Sequence, residues 1–168
     1  MHYPVNQAVA LASRALALLD QLPETPRRAQ QELQLQMVLG TQLQIIRGRA
    51  APEVEQACTR ARELCQRVGE APDLAVVVWG LWSFHFGRAQ GRTARELAEQ
   101  LLAMARGASD PAPVLPAAHH AMALSLLFSG ELDGADEHFE QVIALTDSQA
   151  AFYESWLGWL DPRVVCLV

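Results

Sequence analysis

His119 and His120 form the chain's one histidine doublet. Neighbours on a helix point about 100° apart, a poor arrangement for gripping one ion. His138 lies between Glu137 and Phe139 on a different expected helix, and a zinc site needs three or four converging ligands. No metal ligand set is therefore assigned. Cys58 and Cys65 are seven positions apart on one expected helix, a rise of about 10 Å. A disulfide tolerates no more than about 7 Å between Cα atoms. Both are expected as small core residues, where free cysteine usually goes.

The remaining reactive chemistry is thin. Lysine and arginine together number 13, and all of them are arginine. A P-loop lysine, a Schiff-base lysine and a lysine general base are thus excluded from this chain. No GxSxG, HExxH or CxxC occurs, so hydrolase, zincin and redox readings lack a signature. No catalytic residue and no cofactor is assigned, and the region is not expected to be an enzyme. The net charge of -6 argues against wrapping nucleic acid, which needs phosphate-neutralising charge. Arg60, Arg62 and Arg67 are interleaved with Glu63, the pattern of a solvated helix face.

The elements that would carry these residues all read as helices. Asn6 to Gln21 repeats an apolar face at Ala12, Leu16 and Leu19. Pro23 to Pro26 breaks it, and Thr25 can cap the next helix with Pro26 at its first position. Arg27 to Arg47 is long and glutamine-rich, with Leu33, Met37, Gly40 and Leu43 on or near one stripe. Pro52 opens a third helix bearing Ala57, Ala61 and Leu64, and Gly69 ends it. Leu74 to Phe86 is apolar over 13 residues, too short for a bilayer, which takes about 20. Thr93 and Glu96 have capping-box spacing for a fifth helix with Ala94, Ala98 and Leu101 inward. Pro116 to Asp147 reads as two helices around Gly130, the second carrying Ala135, Phe139 and Val142.

Ala57, Ala94 and Ala135 recur at spacings of about 40 residues, near a helix-turn-helix repeat once loop insertions are allowed. No segment alternates with period two. The expected fold is therefore all-α, with antiparallel helix pairs stacked as an α-α solenoid. The pairs are placed at about 27–69, 72–107 and 112–147, with partial repeats at 1–22 and 148–168, all within one domain over 1–168. A non-repetitive helical bundle is the alternative.

These residues resemble a tetratricopeptide repeat (TPR). Met122-Ala123 stands at the leucine-glycine position, with Gly130, Ala135, Phe139 and Val142 in register. The pattern departs at Asp147, where a proline is usual, and at His119, where a tryptophan is common. A broader resemblance covers nearly the whole chain through LPETPRRAQQELQLQMVLGTQL, GRAAPEVEQACTRARELCQRVGEAPDL, VVWGLWSFHF, TARELAEQLLAMAR and DPRVVCLV. Together these blocks resemble the TPR-like C-terminal region of large bacterial proteins that join a class III adenylate/guanylate cyclase domain to an AAA-type ATPase domain. The resemblance implies a right-handed TPR-like superhelix acting as a regulatory or partner-binding arm. The cyclase carboxylate motifs and the ATPase glycine loop are absent, so no catalytic role carries over.

Two functions follow as expectations. One is a protein-interaction or regulatory scaffold that binds a protein, a peptide or neighbouring domains of its own chain. The other is a sensor closing on a small ligand or peptide in an aromatic-lined groove; Trp79, Trp82, Phe84 and Phe86 serve either as that lining or as core. In a TPR arrangement the first helix of each pair lines the concave groove. That places Gln34, Met37, Thr41 and Gln44, then Val76, Trp79, Ser83 and Phe86, then His120, Leu124 and Leu127 on the binding face. The alternative is that Phe152, Tyr153, Trp156 and Trp159 fill that groove. The cysteine usage and the missing signal peptide point to a reducing cytoplasm and no membrane. The chain is expected to be a fragment of a longer solenoid, whose apolar ends could associate as a homodimer. If Ala94 lies at a helix crossing, Ala94→Leu should overpack it and cost on the order of 1–3 kcal/mol. Thermal melting checks this; a melt equal to the parent's would mean the face is assigned wrongly.

Overall fold

The structure, a computed structural model, describes the backbone of residues 3–68 and 71–157 and the side chains of 6–68 and 74–145. Among these residues there are seven helices and no strand: α1 (Tyr3–Leu19), α2 (Pro26–Arg47), α3 (Pro52–Val68), α4 (Ala71–Gly87), α5 (Gly91–Gly107), α6 (Leu115–Ser129) and α7 (Leu132–Leu157). The chain forms two compact units, Met1–Arg88 and Ala89–Val168. The expected all-α class is observed, and within each unit consecutive helices pack on one another.

In the first unit, local chemistry sets the helix starts. The Thr25 hydroxyl accepts the Arg28 N–H at 3.1 Å, with Pro26 at the first helical position. This satisfies one of the backbone donors that every helix start leaves open. Pro52 opens α3, where its missing N–H leaves no donor to satisfy. Helices α1 to α4 fold back and forth. Asp20 reaches Arg28 across the first turn, Glu24 reaches Arg67, and Gly87 lies against Arg49 and Ala50. In each case residues near one helix's end meet residues near its neighbour's start, so successive helices run antiparallel. Leu33, Val54, Leu64, Val78 and Trp82 are fully buried and make up the core.

Three helices of this unit meet at Cys58. A Cβ built on Gly40 of α2 would stand 3.5 Å from the Cys58 Sγ and 3.7 Å from the Ala57 Cβ. A Cβ built on Gly80 of α4 would stand only 2.7 Å from the same sulfur. The thiol thus occupies the space that Gly80 leaves open, while at Gly40 it lies at ordinary contact distance. Cys58 and Cys65 are free and buried, as expected; Cys166 lies outside the described residues. Burial pushes the Cys58 thiol up to about 11, because a thiolate is poorly solvated there. The sulfur is packing material, not a nucleophile.

In the second unit α5, α6 and α7 pack in sequence. Ala94, Ala98 and Leu101 are fully buried, as the fifth-helix pattern requires. The capping box is not formed. The helix begins two residues before Thr93, at Gly91, and Gln90 stands at the cap without a side-chain bond. The Ala94 N–H goes to the Gln90 carbonyl, so Thr93 is already inside the first turn. Gly130 closes α6 as expected, with φ 81 and ψ 11, a left-handed backbone that glycine adopts without steric cost. Its N–H and that of Glu131 return to the Leu127 and Leu126 carbonyls. Arg95 at the start of α5 pairs with Glu131 at the end of α6, and a Gly134 Cβ would stand 3.3 Å from Leu126. Helix α7 runs through Asp147 to Leu157 without a break. Ala57, Ala94 and Ala135 are all buried.

The crossing at Cys58 is testable by comparing Gly80→Ala in two backgrounds. In the parent, the added methyl group collides with the sulfur and should cost on the order of 1–3 kcal/mol. That exceeds the roughly 1 kcal/mol that helix propensity returns. In a Cys58→Ala background the collision is gone, and the same change should stabilise. Urea denaturation of the four chains decides it, and a stabilising Gly80→Ala in the parent would refute the close approach.

Candidate functional site

The expected binding face divides between the units. In the first, α2 and α4 are neighbours that both pack against α3, and Gln44 lies near Gly80 where they approach. On α2, Gln34 and Thr41 are exposed and Met37 and Gln44 are half-buried. On α4, Val76 and Phe86 are half-buried, whereas Trp79 and Ser83 are buried. In the second unit, Leu127 is exposed, Leu124 half-buried and His120 buried. Phe152, Tyr153 and Trp156 lie where side chains are not described, and Trp159 lies outside the described residues.

The aromatic stripe of α4 is internally stacked. Trp79 and Trp82 have ring centroids 4.7 Å apart, and Trp82 and Phe86 are 5.1 Å apart. The spacing i, i+3, i+7 puts these rings on one side of the helix. Trp82 is fully buried and Phe84 nearly so, while Arg88 lies 5.7 Å over the Phe84 ring.

Val38 and Ile45 had no place in the sequence reading. They are 47% and 54% exposed. With Gln34 and Thr41 they complete an i, i+4, i+7, i+11 stripe on α2. The signal was visible as two β-branched residues seven apart. It was obscured because α2 carries apolar residues nearly all round, as a helix touched by α1, α3 and α4 must.

Two polar arrangements join helices. Glu32 of α2 is buried and accepts from the Arg60 Nε of α3 at 2.6 Å, while Arg60 also reaches Glu63 at 3.1 Å. Glu32 raises the Arg60 pKa, against the opposing effect of burial. Arg60 is therefore part of a helix-helix fixture while its side chain stays 36% exposed to solvent.

His119 of α6 and His138 of α7, which sequence spacing kept apart, face each other with Nδ1 atoms 2.8 Å apart. One ring donates its N–H and the other accepts, so the bond requires an acceptor nitrogen without a proton. Burial, then His138, then Arg106 push the His119 imidazole down to about 4. Burial also lowers His138, opposed by Glu137 and assisted by Arg106. Among the described residues no three His, Cys, Asp or Glu side chains converge as a metal site would need. No helix among them is long and apolar enough to cross a membrane.

No protein-family model, no curated protein and no solved structure matches the chain.

The histidine pair predicts a pH dependence with a definite sign. Below about 6.5 an unfolded histidine takes up a proton, whereas folded His119 resists until about 4. The unfolded chain then binds more protons, so stability falls as pH drops through that window. Urea denaturation between pH 7.5 and 5.5 should show this slope. His119→Asn with His138→Asn should flatten it, and an unchanged slope would remove the pair as its source.

Proposed function

We propose that this chain is a non-catalytic interaction module that holds a protein or peptide partner, and that it serves as a regulatory arm of a larger signalling protein. The tetratricopeptide-like pattern around Gly40, Ala57, Ala123 and Ala135, and the resemblance to the arm of cyclase/ATPase proteins, support this reading. One observation carries it most directly. On α2, Gln34, Val38, Thr41 and Ile45 form an exposed stripe on a helix whose opposite side is in the core. The stripe offers β-branched apolar surface flanked by amide and hydroxyl groups and contains no charge. A hydrophobic helix or extended segment suits it, since apolar burial drives the contact and the amides satisfy polar groups at the rim.

A second reading, a small-ligand sensor, would use a cleft of about 440 Å³ in the first unit, lined by aliphatic and polar residues and not by the aromatic stripe of α4. The two readings use opposite sides of α2, so they can be separated experimentally.

The test for the scaffold is Val38→Glu with Ile45→Glu. Both positions are exposed, so thermal stability should stay within about 0.5 kcal/mol of the parent. Capture of a partner from the native cell, measured with the chain immobilised, should drop at least tenfold. Capture that survives both charges would overturn the assignment of this stripe.

A further inference from the structure

In the second unit α6 and α7 run antiparallel, because Leu126 meets Gly134 near the turn and His119 meets His138 further along. Leu127 follows Leu126 in the chain, and Phe139 follows His138. In antiparallel right-handed helices that face each other, the same step of about 100° turns both side chains to one side of the pair. Helical spacing adds Leu124 beside Leu127 on α6, and Leu132 and Ile143 in line with Phe139 on α7. Leu132 is 61% exposed and Leu127 38%, while Leu124, Phe139 and Ile143 are half-buried. Together they make an apolar face along the seam of the two helices. On α7 it runs for about three turns.

The charge on this face has one sign. From residue 107 to residue 162 the sequence holds no arginine or lysine, and α6 carries no acidic residue either. Asp136 stands in the line of Leu132 and Phe139, and Glu140 borders that line one step round the helix. Both are exposed, and neither makes a hydrogen bond or ion pair among the described residues. Glu131, by contrast, is held by Arg95. The apolar seam is therefore edged by two carboxylates that have no counter-charge of their own.

We propose that this face docks an amphipathic helix of a partner protein, one whose apolar stripe is flanked by lysine or arginine. The apolar side chains seat on the seam between Leu127 and Phe139, a helix laid along a helical groove. The flanking cations pair with Asp136 and Glu140. Unpaired carboxylates beside apolar surface repel an acidic segment and draw a basic one, so charge selects the partner while apolar burial holds it. The uncharged stripe on α2 makes no such choice. The two surfaces share no residue, and this one stands or falls independently of the α2 assignment.

The experiment titrates the whole chain into two fluorescein-labelled helical peptides of about four turns, read by anisotropy. One is built of leucine and lysine, the other of leucine and glutamate in the same pattern. The leucine-lysine peptide should bind ~10-fold or more tightly than its acidic twin, and added salt should narrow the gap. Asp136→Lys with Glu140→Lys should reverse the preference. Glu53→Lys with Glu96→Lys makes the same change in net charge at other exposed positions and should leave it standing, as should Val38→Glu with Ile45→Glu. Leu132→Ser should weaken the basic peptide by ~10-fold, the loss of one buried leucine contact. Equal binding of the two peptides, no binding of either, or a control swap as damaging as the Asp136 and Glu140 swap would overturn the proposal. So would a dimer of the chain alone, seen in sedimentation, that the Asp136 and Glu140 swap dissociates; the face would then belong to a second copy. The peptide comparison leaves the protein untouched, so the test survives even if a substituted chain folds poorly.

Discussion

The first unit depends on how closely three helix backbones can approach one another at Cys58. Glycine at position 80 removes the side chain that would otherwise hold α4 away from the Cys58 sulfur of α3, and at position 40 a methyl group would just touch that sulfur. A thiol is small enough to fill what remains, and its burial, which raises its pKa to about 11, keeps it inert. Packing at interior density leaves little tolerance for extra atoms, so the position of α3 fixes both neighbours. The sides that α2 and α4 present follow from this one crossing.

Polar contacts then set orientation more than they add stability. Glu32 is buried but Arg60 keeps a partly exposed side chain, so the pair is half in solvent and adds modestly to stability. Its effect is to fix the rotation of α2 against α3. The same rotation turns Leu39 and Leu43 toward α1 and α3 and leaves Val38 and Ile45 facing out. In the second unit the contact between His119 and His138 plays a comparable part between α6 and α7. There the fixture is titratable, because a neutral acceptor nitrogen is needed and Arg106 discourages a second positive charge.

The two sides of α2 are chemically different surfaces. One is an uncharged ridge suited to burying a hydrophobic partner. The other is the floor of a cleft of about 440 Å³ lined by Leu39 and Leu43 of α2 with polar side chains around them. A helix at the centre of a unit can serve both because its flanking helices cover only part of its circumference. The many glutamines of α2 fit this position, since an amide tolerates partial burial better than a charge does.

Much of the fold was legible in the sequence because it depends on local chemistry. Thr25-Pro26 marks the start of α2, Pro52 that of α3, and Gly130 the end of α6, each through backbone groups within a few residues. The buried alanines at 57, 94 and 135 were legible through their recurrence. The Thr93 cap misled because a threonine with a glutamate three residues later marks a start only if the backbone before it is non-helical, and Gly91-Arg92 joined the helix. What tertiary structure alone decided were pairings across helices: Gly80 against Cys58, Glu32 against Arg60, and His119 against His138. These residues lie 19 to 28 positions apart, and no periodicity within one helix encodes such a distance. It also decided which side of α2 is open, because a helix apolar nearly all round shows its free face only after its neighbours have taken the others.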